Sequence, residues 1–166
     1  TLFRSDLVYI GAEPAKPKAE VILVADNSPI NSVAELKGRK VALQKGSSSH
    51  NLLLRALQQA GLGFQDIQPV WLTPADARAA FQQGNVDAWA IWDPYYSAAL
   101  QQGNVRVLTD GSALHLTGSF YLATRSYAES HSDFIQSVLD IFSQADALTQ
   151  SQRAESTTLL AQSMGL

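Results

Sequence analysis

Residues 40–62, KVALQKGSSSHNLLLRALQQAGL, read as a strand over Lys40–Leu43, a loop turning at Gly46, and a helix over about 49–60. Leu52, Leu53, Ala56, Leu57 and Ala60 fall at helical spacing and form one apolar stripe. Gly61 follows as the helix stop. The same cadence continues downstream. Residues 67–72 read as a strand, and TPAD at 73–76 gives a cap with proline at the first helical position. Ala77, Ala80 and Phe81 face inward before Gly84 closes that helix. Residues 86–91 read as a strand, 95–102 as a helix and 105–108 as a strand. Strands alternating with helices of this length predict a mostly parallel sheet covered by helices.

The phrase QQGNV occurs twice, at 82–86 and 101–105. In both copies the helix ends on two glutamines, glycine takes the left-handed cap, Asn turns, and Val starts a strand.

Upstream, residues 7–10 read as a strand ending at Gly11, and 12–18 as a connector with two prolines. EVILVA at 20–25 is a second strand, rich in β-branched residues. Ser32 and Glu35 have capping-box spacing before a one-turn helix near Val33 to Leu36. Downstream, 120–123 is a strand, and 132–149 and 151–164 are consecutive helices. The first of these carries Phe134, Ile135, Val138, Leu139, Phe142 and Ala145 at helical spacing. An α/β unit over 32–111 is therefore expected, flanked by a strand-rich start (1–31) and a helical tail (112–166).

The chain has 166 residues, enough to bury a hydrophobic core in one or two small domains. A formal charge of -3, with Lys and Arg never clustered, excludes the basic footprint of a nucleic-acid binder. The absence of cysteine excludes disulfides, thiolate metal sites and cysteine nucleophiles. Apolar runs are too short and broken to predict a membrane span. TLFRSDLVYIG lacks the sections of a signal peptide, as a mature exported chain or a fragment also would.

KGSSSHN at 45–51 has the ingredients of an anion receptor. The first N–H groups of a helix have no internal acceptor and point at whatever lies over its end. Ser47, Ser48 and Ser49 add neutral donors. The simpler alternative is a single cap at Ser49 with solvated neighbours. The loop is not a Walker A motif, since Lys45 precedes the glycine, and the spaced glycines of a dinucleotide fingerprint are missing. Ser49 beside His50 raises the alternative of a small serine hydrolase. Adjacent helical positions diverge, however, and the chain has no G-x-S-x-G elbow. His115 and His131 lack metal-ligand spacing, so no metal or cofactor is expected.

In WAIWDPYYSAAL at 89–100, Asp93–Pro94 forces a turn after a strand. Ligands of parallel sheets lie beyond the carboxyl ends of strands, where both this segment and KGSSSHN sit. Trp89 is expected in the core, and Trp92 or Tyr95 in the cleft, with indole N–H, phenol hydroxyl and ring faces toward a ligand. Asp93 caps the following turn or accepts from an amine. Asp87 is expected at a turn or on the surface, and no carboxylate pair suits glycoside hydrolysis.

DLVYIGAEPAKPKAEVILVADNSPI, ELKGRKVALQKGSSSHNLLLRALQQAGL, TPADARAAFQQGNVDAWAIWDPYYSAAL and GSFYLATRSYAE together closely resemble the substrate-binding proteins of aliphatic sulfonate ABC importers, within the nitrate, sulfonate and taurine binding family. The resemblance covers essentially the whole chain. It implies a periplasmic-binding-protein-like fold of two α/β lobes clamping a ligand, in the bacterial periplasm, with a membrane permease as partner and no catalysis. It implies sulfonate contacts at Ser47, Ser48, Ser49 and His50, with Trp92 and Asp93 at the lip. Residues 11–14 resemble one passage between lobes, with Glu13 lining the cleft edge, and Gly118 to Tyr121 resemble the return passage, which brings Gly118 and Ser119 to the ligand. Taurine, nitrate or a pyrimidine precursor are the alternative cargoes. Family members are roughly twice as long, so a truncated first lobe is expected, with possible self-association to complete it.

Overall fold

The computed structural model describes residues 6–114, 116 and 118–164, which separate into two compact units. One runs from Pro14 to Gly118; the other joins the residues up to Glu13 to those from Ser119 on.

The first unit holds β2 (Glu20–Ala25), β3 (Lys40–Leu43), α1 (Ser48–Gln59), β4 (Gln68–Trp71), α2 (Pro74–Gln82), β5 (Ala88–Trp92), α3 (Tyr95–Gln102) and β6 (Val105–Asp110). Short 3₁₀ turns cover Val33–Leu36 and Phe64–Asp66. The five strands form one sheet in the order β4-β3-β5-β2-β6. β3 pairs in parallel with β4 and β5, whereas β2 runs antiparallel to both β5 and β6. The sheet is therefore mixed: only β2 runs against the other four strands, and the parallel pairs around β3 are those the strand–helix alternation predicts.

The unit is also wider than residues 32–111, because β2 lies inside its sheet. The reason is visible in EVILVA: Val21, Ile22, Leu23 and Val24 are all buried. A strand covered on both faces reads as a continuous apolar run, which carries no information about direction or neighbours.

The sheet separates two apolar layers. Ile22, Val24, Val41 and Leu43 pack with Leu52, Leu53, Ala56 and Leu57 of α1. On the opposite face Val21, Leu23, Ala42 and Trp89 pack with Ala77 and Phe81 of α2 and Ala99 of α3. Each large side chain removed from water contributes about 1.5–3 kcal/mol before entropy is counted, so these layers fix the helices and, with them, the strand-end loops. Thr73 caps α2 by accepting the Asp76 N–H, and Pro74 opens the helix, as the sequence indicates. The two QQGNV junctions differ in detail. Gly84 and Gly103 both take positive φ, yet only Val105 opens a strand, since β5 begins two residues after Val86.

In the second unit β1 (Leu7–Ala12) pairs antiparallel with β7 (Phe120–Thr124). Then follow α4 (Arg125–Ser130), which the sequence reading does not anticipate, α5 (Ser132–Ser151) and α6 (Arg153–Met164). β1 does not end at Gly11 but runs through it, with a register irregularity between Tyr9 and Gly11. A Cβ on Gly11 would stand 2.9 Å from the Leu139 side chain of α5, so glycine permits that close approach. Among the described residues of this unit none is buried, and Phe134 and Ile141 of α5 remain 58% and 59% exposed.

Candidate anion site at the opening of α1

After Leu43 the chain leaves the sheet, turns at Gly46 (φ +77°) and enters α1. The cap is Ser47, not Ser49. The Ser47 hydroxyl donates to the Gln44 carbonyl (2.8 Å), accepts the His50 N–H (3.2 Å) and meets the Ser49 hydroxyl at 3.0 Å. Ser49 is fully buried. With the Ser47 proton committed to Gln44, the Ser49 hydroxyl is the donor between the two serines.

His50 completes a reciprocal cap. Its Nδ1 accepts the Gly46 N–H at 3.2 Å, which requires that nitrogen to be unprotonated. The geometry mimics the glutamate of a capping box with an imidazole. The ring is held by Phe64 and Trp71, at centroid distances of 5.5 and 5.3 Å.

The donors left over define the site. Asn51 N–H reaches the Ser47 carbonyl and His50 N–H reaches the Ser47 hydroxyl. The N–H groups of Ser48 and Ser49 have no acceptor among the described residues, and the exposed Ser48 hydroxyl has no partner there. No acidic residue occupies the first turn of α1. The helix opening is a neutral, electropositive end with two parallel backbone donors, suited to an anion.

β5 runs parallel to β3 at its side, so Trp92 and the turn after it lie at the same sheet edge as the serine loop. Trp92 is half-buried, and Tyr95 meets it edge-to-face at 5.9 Å. Trp89 is core, as its sequence context indicates. Asp93 follows in a cis peptide bond to Pro94, and its Oδ1 accepts the N–H and hydroxyl of Ser97. It therefore caps α3. The Tyr96 hydroxyl donates to the Lys18 carbonyl (2.7 Å), and its phenol titrates above its ordinary value because of burial first and the nearby Asp93 second. Asp93 N–H donates to Ala19 O and Gly111 N–H to Pro17 O, so both ends of this unit's chain reach the same edge. Asp87, at the opposite edge, accepts the Lys40 N–H at 2.8 Å and joins the starts of β3 and β5.

Gly118 closes this unit, half-buried. Glu13 and Ser119 belong to the other, where Glu13 N–H donates to Ser119 O at 2.9 Å. A Glu13 carboxylate oxygen accepts the Tyr121 hydroxyl, and this bond is the main cause of the raised Tyr121 phenol pKa.

The geometry does not support nucleophilic catalysis at Ser49, whose hydroxyl bonds to Ser47 while the His50 ring bonds to Gly46. His131 stacks on Tyr127, and His115 lies outside the described residues. Among the described residues no three His, Asp or Glu side chains gather as a metal set. The sequence reading missed Trp71 and Phe64. Trp71 pairs with Leu43 at the carboxyl end of β4, so the strand-end rule applied to Trp92 would have found it.

A family model described as NMT1/THI5 like matches residues 5–154. The chain belongs to this family. A curated relative from Escherichia coli (strain K12), assigned by its name to aliphatic sulfonates, is 76% identical over 162 residues. The match covers 98% of this chain and 51% of the relative, so the chain spans about half the relative's length. The crystal structure of the periplasmic aliphatic sulphonate binding protein SsuA from Escherichia coli superposes with a TM-score of 0.94 at 75% identity, over 98% of this chain and 56% of that one. The alkanesulfonate-binding protein SsuA from Xanthomonas axonopodis pv. citri, bound to MOPS, gives 0.90 at 52% identity with the same coverage. The α/β fold is thus that of the SsuA periplasmic binding proteins.

Proposed function

We propose that this chain forms part of a periplasmic solute receptor that binds aliphatic sulfonates for an ABC importer and performs no chemistry on them. The observation that carries the reading is the pair of unpartnered N–H groups on Ser48 and Ser49 at an acid-free helix opening. A sulfonate is ionised at every physiological pH and offers three acceptor oxygens, so it needs donors and no proton relay. Two oxygens take the two N–H groups and the third takes the Ser48 hydroxyl. Ser47 and His50 serve the same head group by holding the loop, and Ser49 through its backbone. Trp92 and Tyr95, at the same sheet edge, supply ring surface for the alkyl part. Names and titles of the relatives support the cargo class: aliphatic sulfonates for the Escherichia coli proteins and MOPS in the Xanthomonas complex.

Alkanesulfonates fit better than taurine, whose ammonium asks for a carboxylate. Asp93 is occupied by Ser97 and Glu13 by Tyr121. Nitrate and pyrimidine precursors lack the alkyl part that an aromatic wall would cover. The partner in transport is a membrane permease in this reading. The open apolar stripe of α5 supports self-association as a way of covering the second unit.

A backbone ¹⁵N NMR titration with 1-butanesulfonate, taurine, sulfate and nitrate tests the reading. Saturable shifts of the Ser48 and Ser49 amides, strongest with 1-butanesulfonate, are expected. A response confined to sulfate, or shifts that bypass the α1 opening, would reject it.

A further inference from the structure

The edge of the five-stranded sheet opposite the serine loop carries a cavity of about 570 Å³ between the carboxyl ends of α2 and α3. Sites for small molecules commonly enclose about 300–1,000 Å³. The two QQGNV junctions, unused by the sulfonate site, meet here: Gln82 of the first copy donates to Gln102 of the second at 2.9 Å, and both line the cavity. We infer that this cavity is a second binding site, for a small zwitterion of the free amino acid class.

Three observations define that chemistry. Arg78 and Asp26 both line the cavity, yet no ion pair joins them and neither side chain has a hydrogen-bond partner among the described residues. Opposite charges that share one cavity without meeting are complementary to a molecule carrying both charges. The Arg78 guanidinium suits a carboxylate bidentately, and Asp26 suits an ammonium.

Second, Trp89 forms part of the lining and is only 1% exposed, and its indole N–H has no acceptor among the described residues. No described side-chain nitrogen or oxygen is both shut off from solvent and unpartnered, so this N–H keeps a trace of solvent access on a residue that lines the cavity. It adds a fixed donor for a carboxylate oxygen.

Third, α2 and α3 both end at this place and neither last turn carries a basic residue. Their terminal carbonyls therefore favour a cationic group on the ligand. A simple alkanesulfonate satisfies the Arg78 side and leaves Asp26 and the helix ends unanswered, so the two sites select different molecules.

The test follows the Trp89 indole N–H by ¹⁵N NMR, identified with Trp89→Phe, during titration with L-glutamine. Two singly charged analogues, L-glutamine α-carboxamide and N-acetyl-L-glutamine, are titrated alongside. The zwitterion is expected to shift the indole signal saturably, leave the Ser48 and Ser49 amides unmoved, and bind at least about tenfold more tightly than either analogue, the loss that accompanies a charged hydrogen bond. Arg78→Gln is expected to abolish the preference over the carboxamide, and Asp26→Asn the preference over the N-acetyl form. Asp26 is exposed and Arg78 half-buried, and an otherwise unchanged spectrum verifies that each variant folds. No saturable shift, equal binding of the analogues, or unchanged preferences in both variants would overturn the inference. Since the reporter is not part of the serine loop, these results stand apart from the outcome with 1-butanesulfonate.

Discussion

Ser48 occupies the first position of α1, where a helix tolerates proline because its N–H has no internal acceptor. Ser48→Pro therefore deletes one backbone donor and one hydroxyl while keeping the helix start. The expected outcome is a loss of 1-butanesulfonate affinity of tenfold or more, about 1.4 kcal/mol per factor of ten, with the urea midpoint unchanged. Titration calorimetry and a denaturation curve read the two quantities separately. His50 is tested by its two nitrogens. Asn places an acceptor near Nδ1 and retains the bond from Gly46 N–H, whereas Ala removes it. His50→Ala is expected to destabilise the unit by about 1 kcal/mol, the scale of a lost cap, and His50→Asn by clearly less; equal losses would show that the ring, not its acceptor, matters. At this scale the sequence was partly legible. That the serine run opens a helix follows from pattern alone, but the division of labour does not. Ser47 caps because its backbone is extended, and Ser48 and Ser49, about 100° apart around the helix axis, part into a free and a buried residue, which three identical letters cannot express.

Among the elements, α1 is the one through which packing reaches the site. Leu52 is fully buried between α1 and the sheet, one turn below the unpartnered amides. Leu52→Ala is expected to cost about 2–5 kcal/mol, measured by urea unfolding, and to weaken 1-butanesulfonate binding only in proportion to the population unfolded. Helices α1, α2 and α3 are legible in the sequence because each carries a local signature: an apolar stripe, the Thr73–Pro74 cap, and the Asp93–Pro94 turn. The strands are less so. β2 is recognisable as a strand, yet its reversed direction depends on pairing with β5 and β6, which lie more than 60 residues later in the chain. The sequence pattern starts β5 at Val86, which looks like a strand residue, whereas Asp87 is drawn aside to accept the Lys40 N–H and the strand begins at Ala88. α4 is illegible for the opposite reason: at six residues it has no room for an apolar stripe, and its start is set by the Thr124 hydroxyl.

For the whole molecule, stability is unevenly distributed. The unit from Pro14 to Gly118 contains the buried core in two layers, whereas the described residues of the other unit include none that is buried. Amide exchange follows the free energy of the opening that exposes each hydrogen bond. The amides of β2, β3 and β5 are thus expected to exchange only through global unfolding of their unit. Those of β1, β7 and α5 escape through smaller openings, about 100-fold faster or more, since each 1.4 kcal/mol of missing stability is a factor of ten. Hydrogen–deuterium exchange at two protein concentrations makes the comparison informative. Faster exchange in β1, β7 and α5 at low concentration, slowing as concentration rises, is the signature of the open stripe around Phe134 and Ile141 being covered by a second copy. Strong, concentration-independent protection of both units would contradict the uneven distribution. It would mean that the two strands and the helices beside them hold together without the apolar burial that the first unit relies on.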